Sequence, residues 1–278
     1  MKLYQDKKWL EEQYLGLLRS GSDIASEAGV NRSTIYRNLR KHDLHIRGNS
    51  EARHLAVKNE LFVTEHLRDM LYGELLGDGN MSQQSKWSAY YQHSSKYMGY
   101  LLWLSGEFAS QDMQQAGKIT VRYIKKSTNP GYYMAWKYAS LSYAELVSMQ
   151  HEWYQHGIKI VPHNLKLNPV ICLHWYIGDG SLYCGSRQKP YVLLCTCGFD
   201  KQSLETLIEL LSDIGIKATL MKSANSLRIN AYSTPDFLSY IGLCPPEIES
   251  VYGYKWDLNR TCTIPEWQEQ YKQQHNKA

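Results

Sequence analysis

The apolar positions at the start of the chain follow a helical pattern. Helical spacing predicts a first helix from its apolar residues, which are Trp9, Leu10, Tyr14, Leu15 and Leu18. Ser22 resembles an N-cap that opens a short helix over residues 23–28. Gly29-Val30-Asn31 reads as a tight turn, and a third helix is predicted over residues 32–44.

The rest of the chain switches between helical and strand-like patterns in the same order twice. The first set predicts a helix over 65–77, a strand over 87–94, a helix over 96–110, strands over 118–125 and 132–138, and a helix over 143–155. The second set begins with a helical run ending at Asp179, followed by a strand over 191–197, a helix over 201–214, strands over 217–221 and 227–232, and a helix over 235–242. An internal repeat of this kind predicts a pseudo-twofold axis.

Composition narrows the class of protein. The 278 residues are 43% hydrophobic and 21% charged, which is typical of a globular chain, and the net charge of +4 permits nucleic acid as a partner without requiring it. None of the six cysteines forms a C-x-x-C pair, so zinc is disfavoured, and Cys195 and Cys197 are expected to be small buried groups. Reduced thiols and a polar N-terminus favour an intracellular protein, cytoplasmic, nucleoid-associated or organelle-encoded, that is neither secreted nor associated with a membrane.

Two short stretches, 71–79 and 172–180, organise the repeat. Each is a mostly apolar helical run that stops on Asp-Gly, which places Asp78 and Asp179 at helix C-termini. An aspartate at this position often only caps a turn. Two at equivalent positions favour function, because an anion is disfavoured there and a cation would relieve it. Gly73 and Gly77 leave a smooth stripe where another helix can approach, which would bring both carboxylates together as divalent-metal ligands.

These stretches resemble the paired motifs of LAGLIDADG homing endonucleases in their single-chain, double-motif form. The resemblance covers about residues 65–256 and includes segments 151–154, 157–162, 167–169 and 196–199. It implies an α+β fold with pseudo-twofold symmetry, in which two α-β-β-α-β-β-α halves carry saddle-shaped sheets and the motif helices form the seam. The predicted organisation is an all-α helix-turn-helix domain (1–47), a linker (48–64), a first half (65–165), a second half (166–262) and a polar tail (263–278).

The resemblance also implies a catalytic site. Asp78 and Asp179, with Gly77 and Gly178 beside them, would hold two or three Mg²⁺ ions, which Mn²⁺ or Ca²⁺ can replace. Further catalytic candidates are Lys159, Lys255 and Gln92, with the counterpart of Gln92 expected at Cys195 or Cys197. Either lysine alone is more often a solvated surface residue, and the matching placement of the two in the two halves puts a catalytic role on an equal footing. His174 is bulkier than the motif favours and is expected to be a packed interface histidine rather than a ligand.

Two surfaces are candidates for contact with DNA. Ala25, Gly29 and Ile35 resemble the helix-turn-helix of bacterial regulators, and the third helix would then present Arg32, Ser33, Thr34, Tyr36, Arg37 and Arg40 to the major groove. The alternative is a three-helix bundle with a solvated basic face. Arg47 at the helix exit adds to the basic character that favours DNA. The hairpins contribute Lys118, Arg122, Lys125, Lys137, Lys217, Lys222, Arg228 and Asn230, which a polar exposed sheet would also explain.

The resemblance implies a monomeric, Mg²⁺-dependent, site-specific endonuclease that cuts double-stranded DNA across the minor groove of a long asymmetric site. Two alternatives remain open. One is a non-cleaving DNA-binding transcriptional regulator that combines the helix-turn-helix with the same fold, against which the retention of Asp78 and Asp179 counts. The other is an RNA maturase that assists intron splicing, against which the N-terminal helices count weakly.

Overall fold

The computed structural model describes residues 2–48, 51–52, 59–125, 131–185, 188–221 and 225–259. The predicted tail over 263–278, most of the predicted linker and Lys222 lie outside these ranges. Among the described residues, no helix is long and apolar enough to cross a membrane.

The N-terminal segment folds as three helices around a hydrophobic cluster of its own. Helix α1 spans Lys7–Glu11 and continues as a π-helical turn over Glu12–Gly16, α2 spans Gly21–Glu27, and α3 spans Arg32–Lys41. The cluster is formed by Leu10, Tyr14, Ile24, Ala25, Ile35, Leu39 and Leu44.

The start of α2 corrects one expectation. Ser20, not Ser22, is the N-cap, because its side chain accepts a hydrogen bond from the Asp23 amide and Asp23 bonds back to the Ser20 amide. Gly29 has a φ of +63°, a left-handed conformation that suits the predicted turn between α2 and α3.

The first half consists of α4 (Glu65–Leu76), β1 (Asn80–Ser85), β2 (Ser88–Ser95), α5 (Met98–Ser110), β3 (Thr120–Lys125), β4 (Tyr132–Ala139) and α6 (Leu146–Trp153). Its antiparallel sheet has the strand order β1-β2-β4-β3. Strand β1 was not located from the sequence, because its residues Asn-Met-Ser-Gln-Gln-Ser lack the apolar alternation of a half-buried strand. A short ribbon of β5 (Tyr154–Gln155) and β6 (Ile158–Lys159) follows α6.

The second half repeats this arrangement with α7 (Pro169–Asp179), β7 (Gly180–Gly185), β8 (Gln188–Cys195), α8 (Lys201–Asp213), β9 (Ala218–Met221), β10 (Ser226–Ile229) and α9 (Thr234–Ile241). Its strand order is β7-β8-β10-β9, the same as in the first half. The predicted pseudo-twofold α+β fold is therefore confirmed. A short helix α10 (Glu249–Tyr252) and a 3₁₀ turn over Gly253–Lys255 end the described chain.

The two motif helices α4 and α7 pack against each other at the seam. Thr64 caps the start of α4, and Asn168 caps α7, which begins with Pro169 at its first position. A Cβ atom built on Gly73 would lie 2.5 Å from the Ile171 carbonyl oxygen of α7. The predicted close approach at this glycine is confirmed, and residues 70–76 of α4 and 174–177 of α7 are buried.

The sheets divide their side chains between a helix-covered face and an open, concave face. In β2, Ala89, Tyr91 and His93 are buried under the helices. The residues between them point the opposite way, because side chains alternate along a strand. Gln92 and Ser94 therefore share the concave face with Lys137, which pairs with Ser94.

Candidate functional site

The C-terminal tips of α4 and α7 meet at a pair of glycines. A Cβ atom built on Gly77 would lie 3.5 Å from the Gly178 Cα, and one built on Gly178 would lie 3.4 Å from the Asp78 amide nitrogen. Both distances are in the range of van der Waals contact, so the backbones of the two helix tips lie side by side at these glycines. Because each acid directly follows one of these glycines, Asp78 and Asp179 lie at the same end of the seam. Asp78 is exposed and Asp179 is half-buried.

The electrostatics of Asp179 reflect this crowding. Burial and, after it, the neighbouring charge of Asp78 raise the pKa of its carboxyl group to about 7, against the opposing effects of Lys159 and Lys255. Two carboxylates held this close cannot both be charged without cost. A proton or a cation at this position would relieve the repulsion.

Lys159 and Lys255 occupy matching places below the two helix tips. The Lys159 Nζ donates to the carbonyl oxygens of Leu75, Gly77 and Gly79 at 2.8, 3.1 and 2.8 Å. The Lys255 Nζ donates to the carbonyl oxygens of Tyr176 and Ile177 at 3.2 and 2.7 Å.

Each ammonium group thus satisfies carbonyls that a helix C-terminus leaves unpaired. Burial lowers the pKa of both lysines to about 8, while the charges of Asp179 and Asp78 act in the opposite direction. The two amines therefore neutralise the helix ends immediately beside the acids. Their catalytic role stays a prediction, and Lys255, which is 4% exposed, is not a solvated surface residue.

Gln92 lies on β2 and pairs with Asn80, which follows Asp78 by two residues. Its amide Nε2 donates to the Asn80 Oδ1 at 3.0 Å and to the Ser82 Oγ at 2.8 Å. Its carbonyl oxygen makes none of the described hydrogen bonds.

The expected counterpart of Gln92 at Cys195 or Cys197 is wrong. Asn80 pairs with Gln92 in the first half, and Ser181 pairs with Leu193 in the second half. Ser181 follows Asn80 by 101 positions and Leu193 follows Gln92 by 101 positions, the same offset that separates Asp179 from Asp78. Register therefore assigns Leu193 to the equivalent place. An apolar side chain stands where the first half has an amide, so the polar surroundings of the two acids differ.

Cys195 and Cys197 also differ from the expectation that both are buried. Cys195 is half-buried and Cys197 is exposed, with their sulfur atoms 3.3 Å apart at the end of β8. Among the described residues, no group of three or more His, Cys, Asp or Glu side chains could hold a metal ion. A metal at the seam would therefore have two protein carboxylates and must complete its shell from other oxygen atoms.

The concave face continues from the acids along the first hairpin. A groove of about 400 Å³ is lined by Asp78, His93, Tyr100, Tyr133 and Lys255, together with Ile124 and Ala135 of β3 and β4. Strand register places Thr120 opposite Lys137 and Arg122 opposite Ala135 on this same face. The pKa of Lys137 is lowered by partial burial and by the charge of Arg122.

The other hairpin candidates are placed less uniformly. Lys118 and Lys217 are exposed next to the strands, and Arg228 stacks on the Tyr191 ring with its guanidinium carbon 3.9 Å from the ring centroid. The Asn230 side-chain oxygen accepts from the Ser233 amide at 2.9 Å, so part of this group serves the turn before α9. The side chain of Lys125 and all of Lys222 lie outside the described structure.

The candidate DNA-reading face of α3 is open. Arg32, Ser33, Arg37 and Arg40 are exposed, while Thr34 and Tyr36 are half-buried. Arg47 corrects the prediction that it contributes to this basic surface. It is 8% exposed, with its guanidinium 3.9 Å from the centroid of the Tyr14 ring and bonded to the Leu18 and Arg19 carbonyls. Arg47 therefore fixes the chain leaving the bundle.

One cluster, which surrounds Glu74, was not predicted from the sequence. Glu74 is 1% exposed in the last turn of α4, and its carboxylate contacts Tyr91, His93, Tyr100 and His174. The sequence does contain a signal for this cluster, which is a carboxylate within an apolar helix. A buried charge requires partners, so such a residue indicates a polar cluster around it. His174 is a packed interface histidine, as expected.

Comparisons with known proteins agree with this architecture. The chain matches the model of the LAGLIDADG DNA endonuclease family over residues 68–237. It is 25% identical over 260 residues to an uncharacterized protein of Methanocaldococcus jannaschii, covering 88% of this chain and 96% of the relative. It is 24% identical over 179 residues to the cytochrome b mRNA maturase bI2 of Debaryomyces hansenii, covering 62% of this chain and 66% of the relative.

A solved structure shares the fold. The homing endonuclease I-WcaI, bound to its DNA recognition sequence, superposes with a TM-score of 0.59 at 16% identity, covering 76% of this chain and 96% of that protein. The family match spans more than half of the 278 residues and includes both motif helices with their terminal acids. The chain therefore belongs to the LAGLIDADG DNA endonuclease family.

Proposed function

We propose that this protein is a site-specific double-strand DNA endonuclease that hydrolyses phosphodiesters with divalent metal held by Asp78 and Asp179. The observation that carries the proposal is the meeting of the two motif-helix tips at Gly77 and Gly178, with one acid on each tip. Family membership supports a DNA endonuclease, and the paired acids supply the means of cleavage.

The residues present suit Mg²⁺. Both side chains are hard oxygen donors, and burial together with the nearby charge of Asp78 raises the pKa of Asp179, so a cation beside it would be stabilising. Mg²⁺ is commonly bound by one or two carboxylates, with water and substrate phosphate oxygens filling its other positions. Asp78 and Asp179 would hold the ions with Gly77 and Gly178 alongside, and Mn²⁺ or Ca²⁺ would suit the same oxygen donors.

In this proposal, metal ions at the seam supply charge neutralisation and an activated water for attack on phosphorus. The chain's own residues arrange the reaction. Asp78 and Asp179 fix the site between the two halves, while Lys159 and Lys255 place positive charge beside the developing phosphorane. Gln92, with its amide nitrogen bonded to Asn80 and Ser82, presents its free carbonyl oxygen to orient a water.

DNA would lie along the concave sheet face, with the hairpin residues Arg122, Lys137 and Arg228 reading or steadying the duplex. Residues 1–47 would act as a helix-turn-helix that contacts one end of a long asymmetric site through Arg37 and Arg40. The two unequal halves in one chain support action as a monomer. Residues 65–165 and 166–262 would each contribute one half of the recognition surface.

The test is cleavage of DNA selected for binding. Protein incubated with a randomised duplex library and Ca²⁺ yields bound sequences, which are then cloned and exposed to Mg²⁺. The expected result is a linearised plasmid with wild type, and no cleavage with Asp78→Asn or Asp179→Asn although binding persists. Asp213→Asn, which removes an exposed acid from α8, is the matched control and should cut normally.

Tight binding without any cleavage by wild type would support the regulator instead. The similarity to a yeast mRNA maturase makes RNA a second candidate substrate. Binding of a structured intron RNA, in preference to any duplex DNA, would support that function over the nuclease.

A further inference from the structure

Glu74 lies at the centre of a buried hydrogen-bond network across the seam. Its Oε2 accepts from the Tyr91 hydroxyl at 2.6 Å and lies 3.0 Å from the His93 Nδ1. Its Oε1 accepts from the Tyr100 hydroxyl at 2.7 Å and lies 2.9 Å from the His174 Nδ1. Both oxygens therefore have two partners each, which come from β2 and α5 of the first half and from α7.

The network is charged. Burial by itself raises the pKa of the Glu74 carboxyl, but the hydrogen bonds and charges of His174 and His93 outweigh it and hold that pKa well below its usual range. An ionised carboxylate can only accept hydrogen bonds, so both histidines must carry a proton on Nδ1. Burial and the charge of Glu74 raise the pKa values of Tyr91 and Tyr100, which keeps both as neutral donors.

The network exists in only one half. With the 101-position offset, the residues equivalent to Glu74, Tyr91 and His93 are Trp175, Val192 and Leu194, none of which can ionise. All three are fully buried as part of the apolar core. A buried ionic cluster is rarely retained for stability alone, because its desolvation cost offsets much of its gain.

Glu74 is connected to both candidate metal acids. Its main-chain carbonyl accepts from the amides of Gly77 and Gly79, at 3.1 and 2.9 Å, and so holds the turn that carries Asp78. Its side chain holds His174, which lies five residues before Asp179 on α7. One residue therefore ties the backbone beneath the first acid to the helix beneath the second.

We propose that Glu74 is a positioning residue that fixes α7 against α4 through His174 and thereby sets the separation of Asp78 and Asp179. This inference rests on the proposed nuclease function. Without the carboxylate, the helices remain packed by their apolar faces, but the small translation and rotation of one relative to the other is no longer fixed. Cleavage depends on that geometry, whereas DNA binding along the sheets does not.

The test compares single-turnover cleavage in Mg²⁺ with DNA affinity in Ca²⁺. Glu74→Gln keeps the shape of the side chain but turns one acceptor oxygen into a donor. The expected result is a cleavage rate lower by about 100-fold, the scale of an ångström-sized misplacement, with DNA affinity within about threefold of wild type. Leu211→Ala, a core substitution on α8, is the control for lost stability and should cut at nearly the wild-type rate below its melting temperature.

A second pair of variants keeps the inference testable if Glu74→Gln does not fold. His174→Asn retains a nitrogen donor near the Nδ1 position and should cut within a few-fold of wild type, whereas His174→Leu should lose cleavage as Glu74→Gln does. Equal rates for these two histidine variants, or a normal rate in folded Glu74→Gln, would overturn the positioning role. Absence of cleavage in wild type would instead overturn the proposed nuclease function.

Discussion

His174 packs directly against Gly73, the residue that occupies its own equivalent position in the other half. The two lie 101 positions apart, as do Asp78 and Asp179, and a Cβ atom added to Gly73 would lie 2.6 Å from the His174 Cβ. A large residue facing its small counterpart on the pseudo-twofold axis makes the helix pair unequal. The same packing of His174 against α4 places its Nδ1 2.9 Å from the Glu74 Oε1.

Gly73→Ala should destabilise the protein by about 3 kcal/mol, because overpacking at a helix contact forces the backbones apart. The new methyl group would meet the Ile171 carbonyl oxygen at 2.5 Å as well as His174. Gly106→Ala on α5 is the matched control, since nothing lies within 4 Å of its Cβ position, and it should stabilise by about 1 kcal/mol. Urea unfolding of both variants measures these changes in the free energy of unfolding. An equal change in the two variants would contradict the close packing of α4 against α7 at Gly73.

Lys255→Met and Lys159→Met should each destabilise the protein by about 2 kcal/mol, because buried helix carbonyls lose charged donors. Lys201→Met is the control, since Lys201 is 86% exposed and pairs with Glu205, and this substitution should leave the free energy of unfolding nearly unchanged. Thermal unfolding measures the structural effect. If cleavage falls far more than stability for Lys255→Met, the amine has a catalytic role in addition to capping α7.

Asp179 should make the metal-free protein sensitive to pH. Its pKa in the folded state is about 7 against an ordinary value of 3.8, so its stabilising contribution is complete below about pH 4 and is lost as the pH rises through 7. Asp179→Asn should therefore flatten this dependence and stabilise the metal-free protein at pH 8 by about 2 kcal/mol, a value reduced for partial exposure. The measurement is the melting temperature between pH 4 and pH 8.

Mg²⁺ should counteract the loss of stability that the charged Asp179 causes at high pH. Metal binding to the folded state raises the melting temperature of wild type at pH 8, and the rise should shrink as Asp179 takes up a proton below pH 7. Asp179→Asn should respond weakly at every pH. An equal Mg²⁺ response in both proteins would show that this acid does not bind the metal.

Arg37→Gln with Arg40→Gln should weaken DNA binding and reduce the salt dependence of the affinity by about two phosphate contacts. Both side chains are exposed on α3. Lys7→Gln with Lys8→Gln, on the exposed part of α1, removes the same charge and is the control. Affinity titrations from low to moderate salt test the idea, and equal slopes for the two double variants would assign the effect to net charge instead of a helix-turn-helix contact.

Local sequence determined the elements that set up the site. The helical apolar runs ending in Asp-Gly located α4 within a residue and located the C-terminal end of α7, and Gly73 and Gly77 predicted their close packing. The order of helices and strands after each motif predicted the repeat. These features depend on periodicity and on the special conformations of glycine, which are written in neighbouring residues.

Tertiary structure alone decided which side chains meet. The pairing of β7 with β8 replaced Cys195 by Leu193 as the counterpart of Gln92, and the bundle buried Arg47. The four partners of Glu74 come from β2, α5 and α7, as far as 100 residues away in sequence. Such contacts depend on strand register and helix packing, which neighbouring residues do not encode. The partners of a carboxylate that interrupts an apolar pattern are therefore defined only in the folded chain.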